Sequence, residues 1–438
     1  MALKRVLGAG DAGLLVAGNM IGAGIFVTPG LVAAHLPGAV WQLAAWVAGG
    51  LLALAGAAVY AELGARIPRA GGDYQYLSRA FGQLWGFLTG WAGFTLTFSA
   101  ATAVMAGVAI DHLQQALPGL FPGAEMARRG AAALLVLLLT MANVLGARTS
   151  GRATLLLTAV PLLGLGALFA YGLLAGSPVP RPAVTVWATP GESWPAAAGT
   201  AMLPIFFTYS GWNAAAYLAG EMRAPGRSLP RGLLLGTALV TILYVTINLI
   251  LIVSLPAALL SGSTTAGADA ARLLLGPGAS RLFSACVAAA VLGSANVTLM
   301  AGARVYYAMA CDRLAPAALV RTNAEGVPHI ALWAGGLWSA LMALAGGVSR
   351  LIGWTTMAIL LLSALAAASL FVLRNNQRDA APFRCPGYPF TPALYIAATL
   401  AVAGASALSD PFGALRGTAL IVIGVPVYLL FRRRRGPV

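Results

Sequence analysis

The stretch "GNMIGAGIFVTPG", residues 18–30, lies inside an apolar run long enough to cross a bilayer. It nevertheless carries Gly18, Gly22, Gly24, Pro29 and Gly30. A glycine in a helix interior costs about 1 kcal/mol relative to alanine, and a proline removes a backbone donor. At membrane depth such breaks are tolerated only where the freed backbone groups face protein or a watery cavity. The stretch therefore predicts a spanning helix interrupted at Gly22-Ala23-Gly24. Close helix packing through small residues is the alternative use of the same glycines.

The surrounding chain is suited to lipid. Of 438 residues, 59% are hydrophobic and 9% charged, against about 25% charged in soluble domains. Mean hydropathy is +0.83. The chain reads as an all-α integral membrane protein whose partner is the lipid bilayer. The apolar run from Leu14 is expected to be a retained helix, not a signal peptide. The net charge of +15 comes from one lysine, Lys4, and arginines clustered in short loops. That distribution leaves no basic face for nucleic acid. Cys286, Cys311 and Cys385, like His35, His112 and His329, are scattered without metal-ligand spacing. No metal or other cofactor is expected.

Apolar segments of about 20 residues fall near 11–35, 39–66, 84–111, 130–147, 153–175, 196–220, 232–255, 279–309, 330–347, 351–373, 391–409 and 415–431, giving twelve spans. With the N-terminus inside, the N-terminal segment, the short inner loops and the C-terminal tail together hold 20 of the 27 Lys and Arg residues. That bias supports both ends being cytoplasmic. The longer loop 256–278 falls outside and reads either as a short gating helix or as a simple connector.

The sixth span reads "MLPIFFTYSGWNAAAYLAGE", residues 202–221. Pro204 and the polar, glycine-bearing "TYSGWN" predict a second break at Ser210-Gly211. Spans one and six are corresponding members of two five-helix halves. Paired interruptions at such positions point to the binding site of an inverted-repeat transporter, although no residue-level repeat is visible. An unwound helix frees N–H groups at one half-helix start and carbonyls at the other half-helix end. The first favour a carboxylate and the second an ammonium, so a zwitterionic α-amino acid matches both.

"GNMIGAGIF" resembles the first-helix signature of the amino acid–polyamine–organocation superfamily. "FTYSGWNAAAYLAGEMRAPGRSLPRG" (207–232) resembles the sixth helix and following loop of its L-type amino acid transporter branch. "PRAGGDYQYL" (68–77), "CDRLAPAALVRTNAEGVPHIAL" (311–332) and "FRCPGYPFTPAL" (383–394) are similar to other segments of that branch. The resemblance implies a LeuT-like fold: a first five-helix repeat over 1–176, a second inverted one over 195–374, and two further helices with a basic tail over 375–438. It implies alternating access around a substrate site of Met20, Ile21, Gly22, Ala23, Gly24, Phe207, Thr208, Ser210, Gly211, Trp212, Asn213 and Tyr244. The amides of Ala23 and Gly24 would hold the carboxylate, and the carbonyls of Met20 or Ile21, Phe207 and Ser210 the amine. Phe207 would act as an aromatic lid, Trp212 and Asn213 would line or brace the pocket, and Tyr244 would pair with Asn248 beside the first break. A purely packing role for Tyr244 is the alternative.

Two departures matter. Ala23 stands where many relatives carry serine. Pro161 stands at the position where many L-type relatives carry a fifth-helix lysine, and no span supplies a lysine in any register. Glu62, Asp73 and Glu221 fall at cytoplasmic ends or loops, and no acid stands out at midplane, which favours a neutral amino acid. Ser294, with Asn296 and Thr298, offers oxygens on the eighth helix for a sodium site. The reading is a neutral L-amino acid transporter working by exchange or facilitated transport. A proton- or sodium-coupled amino acid or amine permease, taking a polyamine or an ethanolamine-like substrate, is the alternative. Neither a channel filter nor an enzyme motif is present. The third-to-fourth loop, 112–129, has no cysteine, so no disulfide-linked heavy subunit is expected. Arginine-heavy, lysine-poor usage suggests a prokaryotic cell (inner) membrane. Glu62, Arg66, Arg69, Asp73 and the charges from Glu221 to Arg231 read either as an ion-paired inner gate or as solvated topology-setting charge.

Overall fold

The computed structural model describes residues 3–22, 24–36, 38–120, 125–146, 157, 166, 194–263, 265–346, 348–376 and 381–433. Ala23, Pro161 and nearly all of the expected fifth span lie outside the described residues. Among those described there is no β-strand, only an isolated bridge between Leu7 and Met222.

The interruption in the opening stretch is present. Helix α1 (Ala9–Met20) ends where predicted and α2 (Gly24–His35) begins after it, the two axes bent by 52°. The second span is α3 (Gly38–Arg66), followed by a short helix α4 (Asp73–Phe81). The third span is composite: α5 (Gln83–Ala92), a π-helical turn Gly93–Thr97, then α6 (Ser99–Ala116). The fourth span is α7 (Glu125–Val144), and the sixth opens with α8 (Trp194–Thr208) and resumes in the single turn α9 (Ala214–Tyr217). Then come α10 (Pro225–Ser254), α11 (Ala257–Leu260), α12 (Ala266–Leu275) and α13 (Pro277–Cys311). The chain finishes with α14 (His329–Ala345), α15 (Val348–Asn376), α16 (Phe390–Ser409) and α17 (Pro411–Arg433). Eight helices are long and apolar enough to cross a membrane among the described residues, and a ninth if the bent pair counts as one. Two shorter apolar helices, Ala197–Thr208 and His329–Ala345, match the expected sixth and ninth spans. The loop 256–278 contains the short helices α11 and α12.

The packing is inverted relative to a soluble protein. On α10 the buried face carries Thr237, Tyr244 and Asn248, while Leu235, Leu239, Ile242 and Leu249 stand outward. An apolar exterior around a polar-bearing interior is what a lipid solvent requires, because tails as apolar as leucine give helices no hydrophobic reason to associate. Association then rests on close packing and internal hydrogen bonds. The α1–α10 crossing shows this: Gly232 faces Ala12, and Gly236 faces Gly13 and Val16, too closely for a side chain. These observations make the chain a multi-pass membrane protein.

The broken helices are held inside this bundle. α1 packs on α10, α13 and α9, and α2 packs on α8, α12 and α11. One end of the bundle gathers arginines and acids in buried pairs. Glu62 accepts from Arg66 and Arg374 and from the Cys385 amide. Arg304 forks onto both oxygens of Glu221 at 2.6 and 3.2 Å. The amides of Val6 and Leu7 donate to the Glu221 carbonyl, which ties the N-terminal segment across the same face.

Candidate functional site

The two breaks meet, and the groups joining them are explicit. A helix end leaves its last carbonyls without intrahelical donors. For α1 these are supplied from other helices: Ser294 Oγ on α13 donates to the Asn19 carbonyl at 2.8 Å, and Tyr244 Oη on α10 donates to the Met20 carbonyl at 2.6 Å. Tyr244 Oη also lies 3.3 Å from the Thr208 carbonyl at the end of α8, so one hydroxyl sits between the two interrupted helices. Asn19 makes the second link. Its Nδ2 donates to the Gly211 carbonyl at 3.1 Å, and its Oδ1 accepts from Thr298 Oγ1 at 2.9 Å.

Backbone conformation at the sixth-span break depends on Gly211, whose φ is +97°. That region penalises a Cβ, and a Cβ there would also lie 2.7 Å from Asn19 Nδ2. Gly24 serves a different end. A Cβ on it would lie 2.9 Å from Thr208 Oγ1 and 3.2 Å from Thr208 Cα. Thr208 itself donates to the Pro204 carbonyl at 2.8 Å and is 2.7 Å from Thr28 Oγ1. The glycine thus lets α2 and α8 touch.

Beside the breaks lies a cavity of about 110 Å³. That is well above the roughly 10–15 Å³ that one water needs, so the space admits a small solute. Asn19, Ser210, Gly211, Asn213 and Thr298 supply its polar wall at the breaks. Phe98, Met105, Val305, Ile359 and Leu362 supply an apolar one. Among the described residues Asp73 is the one acid in the lining, and no basic residue lines it.

The predicted residues divide accordingly. Ser210, Gly211 and Asn213 line the cavity; Met20, Ile21, Gly22, Gly24, Thr208 and Tyr244 build the junction behind it. Trp212 braces: it is buried and meets Tyr60 and Tyr395 edge-to-face at 4.8 and 5.7 Å. Phe207 is 42% exposed and is not in the cavity lining. Ser294 faces Asn19 across the first break, 3.8 Å from where a Gly22 Cβ would stand. Asn296 faces away from that break, accepting from Asn143 Nδ2 of α7 at 2.7 Å.

Several lining residues escaped the sequence. Asn19 sits in the opening stretch, and a lone amide in an apolar run was a signal to follow. Thr298, named with Ser294 as an oxygen for a sodium site, is found in the cavity lining, one turn from Ser294 on the same face. Asp73 gave no local signal: it sits in a connecting segment, yet its carboxylate is buried against the cavity. Of the two readings of the charges at this end, ion-paired or solvated, the solvated one does not hold for Asp73, Glu62 and Glu221, all of them buried. Thr97 and Phe98 reach the cavity around the π-helical turn, whose Gly93 carbonyl accepts from Tyr306 Oη at 3.2 Å. Such turns occur often at functional sites.

Comparison with known proteins gives a consistent picture. The model of a family described as amino acid permease matches residues 8–423. The chain is 30% identical to the serine/threonine exchanger SteT of Bacillus subtilis (strain 168), covering 99% of this chain and 98% of the relative. It is 30% identical to the large neutral amino acids transporter small subunit 2 of Mus musculus, covering 98% and 81%. It is 29% identical to the Asc-type amino acid transporter 1 of Mus musculus, covering 98% and 82%.

Proposed function

The chain belongs to the amino acid permease family, and from that premise we propose that it exchanges neutral L-amino acids across a cell membrane by alternating access. The observation that carries the proposal is the junction of two interrupted helices on a cavity that admits a small solute, joined by Asn19 and Tyr244. The start of α2 offers first-turn amides and a positive dipole end to a carboxylate. On this reading Ala23 and Gly24 hold that group. The ammonium sits against the carbonyl ends of α1 and α8, at Met20 or Ile21, Phe207 and Ser210. The Asn19 and Met20 carbonyls already accept one hydroxyl each, and a carbonyl has a second lone pair for a ligand.

The side chain of the substrate then meets Phe98, Met105, Ile359 and Leu362, which suits a neutral group. Asp73, the acid in the lining among the described residues, is engaged by Tyr217, which favours a neutral side chain over a cationic one. Exchange is favoured by the similarity to a serine/threonine exchanger. We assign residues 1–176 and 195–374 to two inverted repeats that rock about the breaks, with 375–438 outside them. The arginine-rich face and both termini are assigned to the cytoplasm by charge bias. No disulfide-linked partner is assigned, since 112–129 lacks cysteine.

The test is radiolabelled serine or alanine uptake into proteoliposomes loaded with or without unlabelled amino acid. Internal substrate is expected to stimulate uptake at least several-fold. Uptake that is indifferent to the internal amino acid removes the exchange mode, and no uptake of any neutral amino acid removes the transport reading.

A further inference from the structure

Asp73 is the first residue of α4, in the segment joining the second and third spans, and it is 6% exposed. Its Oδ2 accepts from Tyr217 Oη at 2.8 Å, and Tyr217 Oη accepts from Asn213 Nδ2 at 3.1 Å. A line of polar atoms thus runs from the sixth-span break to this carboxylate. Its Oδ1 has no hydrogen-bond partner, and neither do Tyr60 Oη and Tyr76 Oη.

Among the described residues the groups acting on Asp73 come from four directions and none is cationic. Tyr60 approaches from α3, Tyr217 from α9, Tyr395 from α16 and Tyr76 from α4 itself. Across α13, Arg304 is committed to Glu221, and Asp312 accepts from Tyr74 Oη. From α15, Ser363 Oγ donates to the Leu360 carbonyl. An ionised carboxylate buried without a cation is costly, and such groups take a proton instead. Burial pushes the Asp73 carboxyl up to about 6, against the hydrogen bond from Tyr217.

We propose that Asp73 is a proton-binding site linked to the transport cycle, holding a proton while it is buried as here and releasing it when the arginine-rich face opens. The proton comes from bulk water onto Oδ1, beside the unpartnered Tyr60 hydroxyl, and returns to water when the carboxylate is hydrated. The partners of Asp73 suit a proton and not a metal ion: Tyr217 points its O–H at the carboxylate, whereas a sodium ion needs several oxygens offering lone pairs. The inference rests on the transport reading, because it takes the cavity as the substrate path.

The test is serine affinity of the purified full chain between pH 5 and 7.5, in sodium and in choline buffers. On this proposal serine favours the form with Asp73 buried and protonated, so affinity is expected to fall roughly tenfold as pH rises through 6, in step with the protonated fraction, and equally in both buffers. Asp73→Asn is expected to remove the pH step. Tyr217→Phe, which takes away a donor to the ionised form, is expected to move the step to higher pH and serves should Asp73→Asn fail to fold. A pH-independent wild type, a step retained in Asp73→Asn, or an unmoved step in Tyr217→Phe overturns the proposal. So does affinity that requires sodium through Asp73. If no neutral amino acid binds at any pH, the transport reading fails. The proton site is then decided by thermal melting of the ligand-free protein. Relative to Asp73→Asn, or to Tyr217→Phe with its higher midpoint, the wild type is expected to lose stability as pH rises from about 4 to 6 and to level off above. Parallel melting curves would overturn it.

Discussion

At the scale of single residues, Tyr244 shows how one hydroxyl holds a break together. Its donor to the Met20 carbonyl replaces the intrahelical bond that the interruption removed. Tyr244→Phe keeps the ring against Trp46 and Tyr209 and deletes only that donor. Leaving a buried acceptor unmet costs about 1–3 kcal/mol, so thermal denaturation in detergent is expected to shift downward by that amount, with weaker amino-acid binding. An unchanged melting temperature would mean that water replaces the hydroxyl. The sequence left pocket and packing roles for this tyrosine equally open. Its position four residues before Asn248 fixed its face on the helix and not its partner, which lies 224 residues away.

At the scale of elements, the breaks were legible because glycine and proline in an apolar run carry a local cost visible without coordinates. What each glycine does was less legible. Gly22, Gly24 and Gly211 looked alike as sites of ligand approach. Gly211 is needed for its positive φ, and Gly24 for contact between α2 and α8. Gly24→Val is therefore expected to separate those helices as well as to crowd the carboxylate site. The expected result is loss of binding together with a melting shift of about 1–3 kcal/mol, as overpacking gives. Loss of binding with no melting shift would show that ligand approach alone explains the glycine. The π-helical turn at Gly93–Thr97 was not foreseen, since "GFTLT" carries no mark that separates it from ordinary helix.

At the scale of the whole molecule, the charged face changes character from sequence to structure. Arg304 lies within α13, 1% exposed and paired with Glu221. Removing one member of a buried pair strands the other charge and costs about 3–5 kcal/mol. Arg304→Met is expected to lower stability by that order, and adding Glu221→Gln to recover most of it; a double variant no better than the single would show that the pair is not the cause. The sequence by itself determined that the chain is a multi-pass helical membrane protein, interrupted in its first and sixth spans and related to amino acid permeases. Composition, span length and helix breakers are local quantities, and they survive any packing. Only the tertiary structure decided that Asn19 and Tyr244 bridge the breaks, that Trp212 braces and Phe207 stands outward, and that Asp73 is buried on the cavity. Those facts depend on which helices meet. In lipid that choice is made by close packing and by hydrogen bonds between residues far apart in the chain, and no local pattern records it.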